Sequence, residues 1–90
     1  LLMLTEAWSL NGSVALRPEP FGALAYDFTT RRLTFLKDPA LVDLVRALEQ
    51  HPTVAAALDA VGVAEEQRPR FCAALGRLAD QQMITRRTAA

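Results

Sequence analysis

The chain has 90 residues, of which 51% are hydrophobic, and its ten basic and ten acidic residues give a formal net charge of zero. This length and composition predict one folded domain spanning residues 1–90. The zero net charge counts against a duplex-binding protein, which normally carries a basic excess, and no apolar run approaches the ~20 residues that span a bilayer.

The single cysteine, Cys72, excludes an internal disulfide framework and favours a cytoplasmic location. Residues 1–4 (LLML) are apolar but lack the charged lead and cleavage site of a signal peptide. We therefore expect residues 1–6 to be a disordered or packed N-terminal end.

A two-residue periodicity predicts three short strands, at residues 14–18, 22–28 and 31–36. In the second strand Leu24, Tyr26 and Phe28 share one face. Thr29 and Thr30 are expected to form the turn that follows, although they lack the Gly or Asn of the most favourable hairpins.

Helical spacing of apolar residues then predicts three helices, at residues 39–50, at residues 54–61 and from about 65 to 82. Asp38 and Thr53 are good N-caps, and Gly62 is placed to close the second helix in a left-handed conformation. Pro69 predicts that the regular part of the third helix begins a few residues after Glu65. The fold class is therefore α+β, a three-stranded antiparallel sheet followed by three helices, of winged-helix-like size.

The residue inventory is poor in catalytic groups. His51 is the only histidine and lies at a helix end, where a structural role suffices. Cys72 has the surroundings of a small buried hydrophobe, and one His with one Cys cannot assemble a four-ligand zinc site. The glycines are isolated, so no phosphate-binding loop is present. We expect no enzymatic activity, no metal and no cofactor.

Binding is a better use of this architecture, because a small sheet covered by helices leaves an unpaired strand edge. Such an edge can accept an extended peptide as an additional strand. The predicted third strand, residues 31–36, is the candidate. From Arg68 to the end there are five arginines against one acid, Asp80, an excess that fits either an acidic partner or a solvated helix face.

The sequence closely resembles the mycofactocin-biosynthesis chaperone family over residues 7–84. The resemblance is carried by VALRPEPFGALAYDF, RRLTFLKDPALVDLVRAL, AVGV, QRPRF and ALGRLADQQMI, and its most specific part is RPEPFGALAY, from Arg17 to Tyr26. Members of this family are peptide-recognition elements similar in fold to protein D of pyrroloquinoline quinone biosynthesis.

The resemblance implies a winged-helix-like protein without catalysis of its own. It would bind the leader of a ribosomally made precursor peptide and present it to a radical S-adenosylmethionine enzyme. In related proteins the leader adds beside the third strand, in a cleft lined by the third helix. Carried over to this sequence, the peptide-binding residues are Arg31, Arg32, Leu33, Thr34, Phe35, Leu36, Ala74, Arg77, Leu78 and Gln81.

Other interpretations of the same residues stay open. Alternation equally allows Leu33 and Phe35 to be core residues, and Arg31 and Arg32 to be hairpin-end charges that keep the edge soluble. A winged-helix DNA-binding protein would use the third helix for recognition, although we expect neither nucleic acid nor membrane as a partner. The open edge and the apolar N-terminal end could also pair two chains into a homodimer.

Overall fold

The computed structural model describes residues 2–87, and it contains two antiparallel sheets and three α-helices. The strands are β1 (Trp8–Leu10), β2 (Val14–Glu19), β3 (Gly22–Asp27), β4 (Arg32–Leu36) and β5 (Ile84–Arg86). The helices are α1 (Pro39–Ala47), α2 (Val54–Val61) and α3 (Arg68–Asp80), and 3-10 turns span Leu2–Thr5, Leu48–Gln50 and Glu65–Gln67. The predicted α+β order, a three-stranded antiparallel sheet followed by three helices, is confirmed.

The larger sheet has the order β2-β3-β4 and is joined by two hairpins. The β2–β3 loop has two residues, because Glu19 pairs with Gly22. The β3–β4 loop has four residues, 28–31, because Asp27 pairs with Arg32. The tight turn predicted at Thr29 and Thr30 is therefore wrong in length, and Arg31, predicted to begin the third strand, lies in the loop with a left-handed φ of 63°.

Asp27 organises this loop although it lies on the buried face of the sheet. Its Oδ1 atom accepts hydrogen bonds from the Thr29 hydroxyl (2.7 Å), the Thr29 amide (2.9 Å) and the Thr30 amide (3.3 Å). These bonds, led by the Thr29 hydroxyl, lower the pKa of Asp27 from 3.8 to about 2. The buried carboxylate thus holds the backbone of the loop that joins β3 to β4.

The inner face of β3 is made of small residues. Ala23 and Ala25 are buried and α1 packs beside this strand, whereas the larger Leu24 and Tyr26 point away from the core. Small side chains let the helix approach the sheet closely. The buried cluster combines the inner sheet face with all three helices and the start of β5: Val14, Ala23, Ala25, Leu36, Val42, Leu44, Val45, Leu48, Val54, Ala57, Leu58, Val63, Phe71, Leu75, Leu78, Met83 and Ile84.

The helix ends follow the sequence closely. The Asp38 carboxylate accepts a hydrogen bond from the Ala40 amide, and the Thr53 hydroxyl accepts one from the Ala56 amide. Gly62 ends α2 with a φ of 82°, as predicted. The third helix begins at Arg68, after a 3-10 turn. No helix within residues 2–87 has the length and apolar character needed to cross a membrane.

The second sheet was not predicted. It pairs β1 with β5, in the register Trp8 to Arg86 and Leu10 to Ile84. Arg87 directly follows β5, and its guanidinium donates hydrogen bonds to the carbonyls of Leu48, Glu49 and His51. These bonds connect the end of β5 to the 3-10 turn that follows α1. Of the expected N-terminal end, residues 2–5 form a turn beside α2, and residue 1 lies outside the described residues.

Candidate functional site

The outer edge of β4 is open, because β4 is the last strand of its sheet. The Phe28 amide donates a hydrogen bond to the carbonyl of Ser13, the residue just before β2. Because N–H and C=O groups point to alternate sides along a strand, the even-numbered residues of β3 bond to β2 and the odd-numbered residues bond to β4. Opposite the odd-numbered residues stand Arg32, Thr34 and Leu36. These three turn their backbone groups toward β3, so the N–H and C=O groups of Leu33 and Phe35 point to the open edge.

A groove of about 470 Å³ runs beside this edge. Its walls come from the end of β4, the start of α1 and one stripe of α3: Phe35, Lys37, Asp38, Pro39, Leu41, Arg70, Phe71, Ala74 and Arg77. Positions 70, 74 and 77 on α3 are spaced by four and three residues, which places them on one face of the helix.

Polar contacts connect the elements that border the groove. The Thr34 hydroxyl donates to the Gln81 side chain, which connects β4 to the end of α3. Arg70 lies 3.5 Å from the Asp38 carboxylate, which connects the first turn of α3 to the cap of α1. These two contacts hold β4, α1 and α3 in place around the groove beside the open edge.

The groove combines an apolar floor with positive charge. Lys37, Arg70 and Arg77 contribute cations, and Asp38 is the one acid among the residues that line it. The Arg70 guanidinium also lies over the Phe71 ring, 5.2 Å from its centroid. Such a surface is complementary to an extended segment that carries both apolar and acidic side chains.

The structure brings some of the predicted site residues together and separates others. Phe35, Ala74 and Arg77 line the groove, and the exposed Arg31 and Arg32 lie at the hairpin end of the β4 edge. Thr34 and Gln81 are occupied with each other, and Leu33 is 56% exposed on the outer face. Leu36 (2% exposed) and Leu78 (4% exposed) lie in the core, so their side chains are not available to a partner.

The alternative that placed Leu33 and Phe35 in the core is wrong, since Phe35 is 59% exposed. Other groove residues, above all Lys37, Arg70 and Phe71, were not predicted from the sequence. Lys37 directly follows the strand and Arg70 lies four residues before Ala74, so helical spacing was a usable signal for Arg70.

The stretch from Arg17 to Tyr26 shapes the end of β4 nearest the groove. Phe21, in the β2–β3 loop, packs edge-on against Phe35 with ring centroids 5.8 Å apart. Gly22 has a φ of 145° and passes so close to the Leu36 carbonyl that no side chain fits there. This stretch therefore contributes to the outer face of the sheet beside the open edge.

The groups with potential for chemistry lie apart from the groove. Burial raises the pKa of the Cys72 thiol, which disfavours the reactive thiolate. Within the described part of the chain, no cluster of three His, Cys, Asp or Glu residues could hold a metal ion.

Comparison with known proteins shows the family to which the chain belongs. The profile of the Peptide chaperone MftB family matches residues 7–85. The chain is 47% identical over 78 residues to the peptide chaperone MftB of Mycolicibacterium smegmatis, which covers 87% of this chain and 76% of that protein. It is 44% identical to the peptide chaperone MftB of Mycobacterium ulcerans, over 88% of this chain and 72% of that protein.

A third relative, the peptide chaperone MftB of Mycobacterium tuberculosis, is 40% identical over 91% of this chain and 75% of its own length. No solved structure matches the chain significantly. The chain belongs to the peptide chaperone MftB family, which confirms the resemblance found in the sequence.

Proposed function

We propose that this protein binds the leader of the mycofactocin precursor peptide as an additional strand on β4 and presents it to a radical S-adenosylmethionine enzyme. The observation that carries the proposal is the open edge of β4, directly beside a groove with apolar and basic walls. Strand addition uses main-chain hydrogen bonds for affinity and side-chain pockets for specificity.

The backbone alternation defines how the leader would dock. The outward-facing groups of Leu33 and Phe35 offer two donors and two acceptors to an extended segment. Side chains of an added strand point alternately to the two faces of the sheet. One set would enter the groove beside α3, where Lys37, Arg70 and Arg77 favour acidic groups, and the other set would lie beside Leu33 and Phe35.

The duplex-binding alternative has less support. Arg68 on α3 is held by the Asp59 carboxylate at 2.7 Å and also donates to the Val63 carbonyl. Arg68 is therefore engaged within the protein, and the chain as a whole carries no net charge to attract phosphates.

Calorimetry with the full-length precursor and with a leaderless precursor tests the proposal. We expect the full-length peptide to bind and the leaderless peptide to bind at least tenfold more weakly. Arg77→Glu should weaken leader binding about tenfold or more, whereas the control Arg46→Glu, which makes the same charge change outside the groove, should stay within twofold. Equal affinity for both peptides, or binding to neither, would overturn the proposal.

A further inference from the structure

The outer face of the three-stranded sheet carries a second apolar surface, which meets the groove at Phe35. We define the outer sheet face by its large exposed or half-buried side chains: Phe21, Leu24, Tyr26, Phe28, Leu33 and Phe35. With ~200 Å² for a whole aromatic side chain, their exposed fractions correspond to roughly 500 Å², in the upper range of apolar patches on monomeric proteins. Patches of that size commonly mark an interaction site.

The outer sheet face is continuous with the proposed peptide site. Phe35 lines the groove and also packs against Phe21 on the outer face. A peptide added to β4 would extend the sheet by one strand, and every second side chain of that peptide would lie beside Leu33 and Phe35. Peptide binding would therefore enlarge the outer sheet face with residues of the peptide itself.

Charge indicates what kind of surface fits this face. Arg31 lies in the loop at one end of β4 and Lys37 follows the other end, and within residues 2–87 neither of them forms an ion pair. Glu19, the acid on this face, is already paired with Arg17 at 2.7 Å. A partner with an apolar centre and carboxylates around it would be complementary to this positive rim.

A second copy of the chain fits less well. In such a dimer the positive rims of the two copies would face each other and repel. The exposed apolar area of the outer sheet face, roughly 500 Å², is also smaller than the ~800 Å² that each partner buries in a standard stable interface. A bound peptide would add to that area. The face therefore suits a partner that recognises the chaperone and its peptide together.

We propose that the outer sheet face is the docking surface for the enzyme that receives the peptide, and that this enzyme binds more tightly once the peptide strand is in place. This inference rests on the proposed function. It gives each task some residues of its own, with Ala74 and Arg77 in the groove holding the peptide and Tyr26 and Phe28 contacting the enzyme without touching the peptide.

The test measures two affinities for each variant by calorimetry or fluorescence anisotropy, that of the chaperone for the precursor peptide and that of the peptide-loaded chaperone for the purified enzyme. The variants are Phe28→Ser, in an exposed loop where folding is least sensitive, and Tyr26→Ser. The control is Leu4→Ser, an exposed apolar residue in the turn beside α2.

We expect both test variants to keep peptide affinity within twofold and to lose enzyme affinity at least tenfold, with no change in the control. Wild-type affinity for the enzyme should rise at least fivefold with peptide bound. Unchanged enzyme affinity in Phe28→Ser, with intact peptide binding, would overturn the inference and leave the proposed function standing. Absence of peptide binding by the wild type would overturn both. Dimerisation of the wild type that is abolished by Phe28→Ser would instead assign the face to self-association.

Discussion

Gly22 shows how one residue fixes the relation between two strands. Its φ of 145° and its close approach to the Leu36 carbonyl leave no room for a Cβ atom. We expect Gly22→Ala to lower the free energy of unfolding by about 2–4 kcal/mol, because it adds backbone strain and a steric clash with β4. Gly76→Ala is the matched control in α3, where a Cβ would meet nothing within 4 Å, and it should stabilise the protein by about 0.5–1 kcal/mol. Urea unfolding of both variants checks this, and similar effects in the two would contradict it.

The lowered pKa of Asp27 makes the free energy of unfolding depend on pH. Its folded-state pKa of about 2 lies below the ordinary value of 3.8, so the unfolded chain binds more protons between these values. The stabilisation is present above about pH 4 and is lost as the pH falls toward 2. Asp27→Asn should be less stable than the wild type at pH 7, and the difference should shrink through this window. Thermal unfolding from pH 2 to 7 measures it, and a difference that stays constant with pH would contradict the account.

Single residues were predicted well where local chemistry decides. Asp38, Thr53 and Gly62 cap helices because their side chains, or the lack of one, suit positions defined by their nearest neighbours. Arg31 and Gln82 adopt left-handed conformations with φ near 60° that their residue types do not favour. Neither position holds the Gly or Asn that would indicate such a conformation, so the sequence carried no signal for them.

At the scale of elements, periodicity identified the three strands of the larger sheet but not their buried faces. Both faces of β3 are apolar, with Ala23 and Ala25 on one and Leu24 and Tyr26 on the other. Hydrophobicity alone favours burial of the larger pair. The close packing of α1 on β3 selects the alanines instead, and that choice leaves Leu33 and Phe35 of the neighbouring strand exposed at the site.

The β4 edge can be tested by separating its backbone from its side chains. Leu33→Pro removes an amide that faces the open edge, so it should cost the sheet little and weaken leader binding about tenfold or more. Leu33→Ala keeps that amide, and its effect should stay within about threefold. Calorimetry with the leader peptide compares the two variants. Equal losses would show that the Leu33 side chain, and not strand addition, accounts for the contact. Leu36 is unsuitable for this test because its amide faces β3 and its side chain is buried.

Across the whole molecule, the unpredicted features are those that join distant parts of the chain. The strands β1 and β5 have three residues each and lie at opposite ends of the described chain, so no local pattern signals their pairing. The groove likewise forms only where β4, α1 and α3 meet. The family resemblance located it between the third strand and the third helix, but it could not separate the groove residue Arg77 from the core residue Leu78.

Amide hydrogen exchange measured residue by residue, with and without saturating leader peptide, tests strand addition most directly. The Leu33 and Phe35 amides face the open edge, whereas those of Thr34 and Leu36 already face β3. If the leader adds as a strand, bound peptide should slow exchange at Leu33 and Phe35 at least tenfold, with a much smaller change at Thr34 and Leu36. Unchanged exchange at Leu33 and Phe35 in the saturated complex would contradict it.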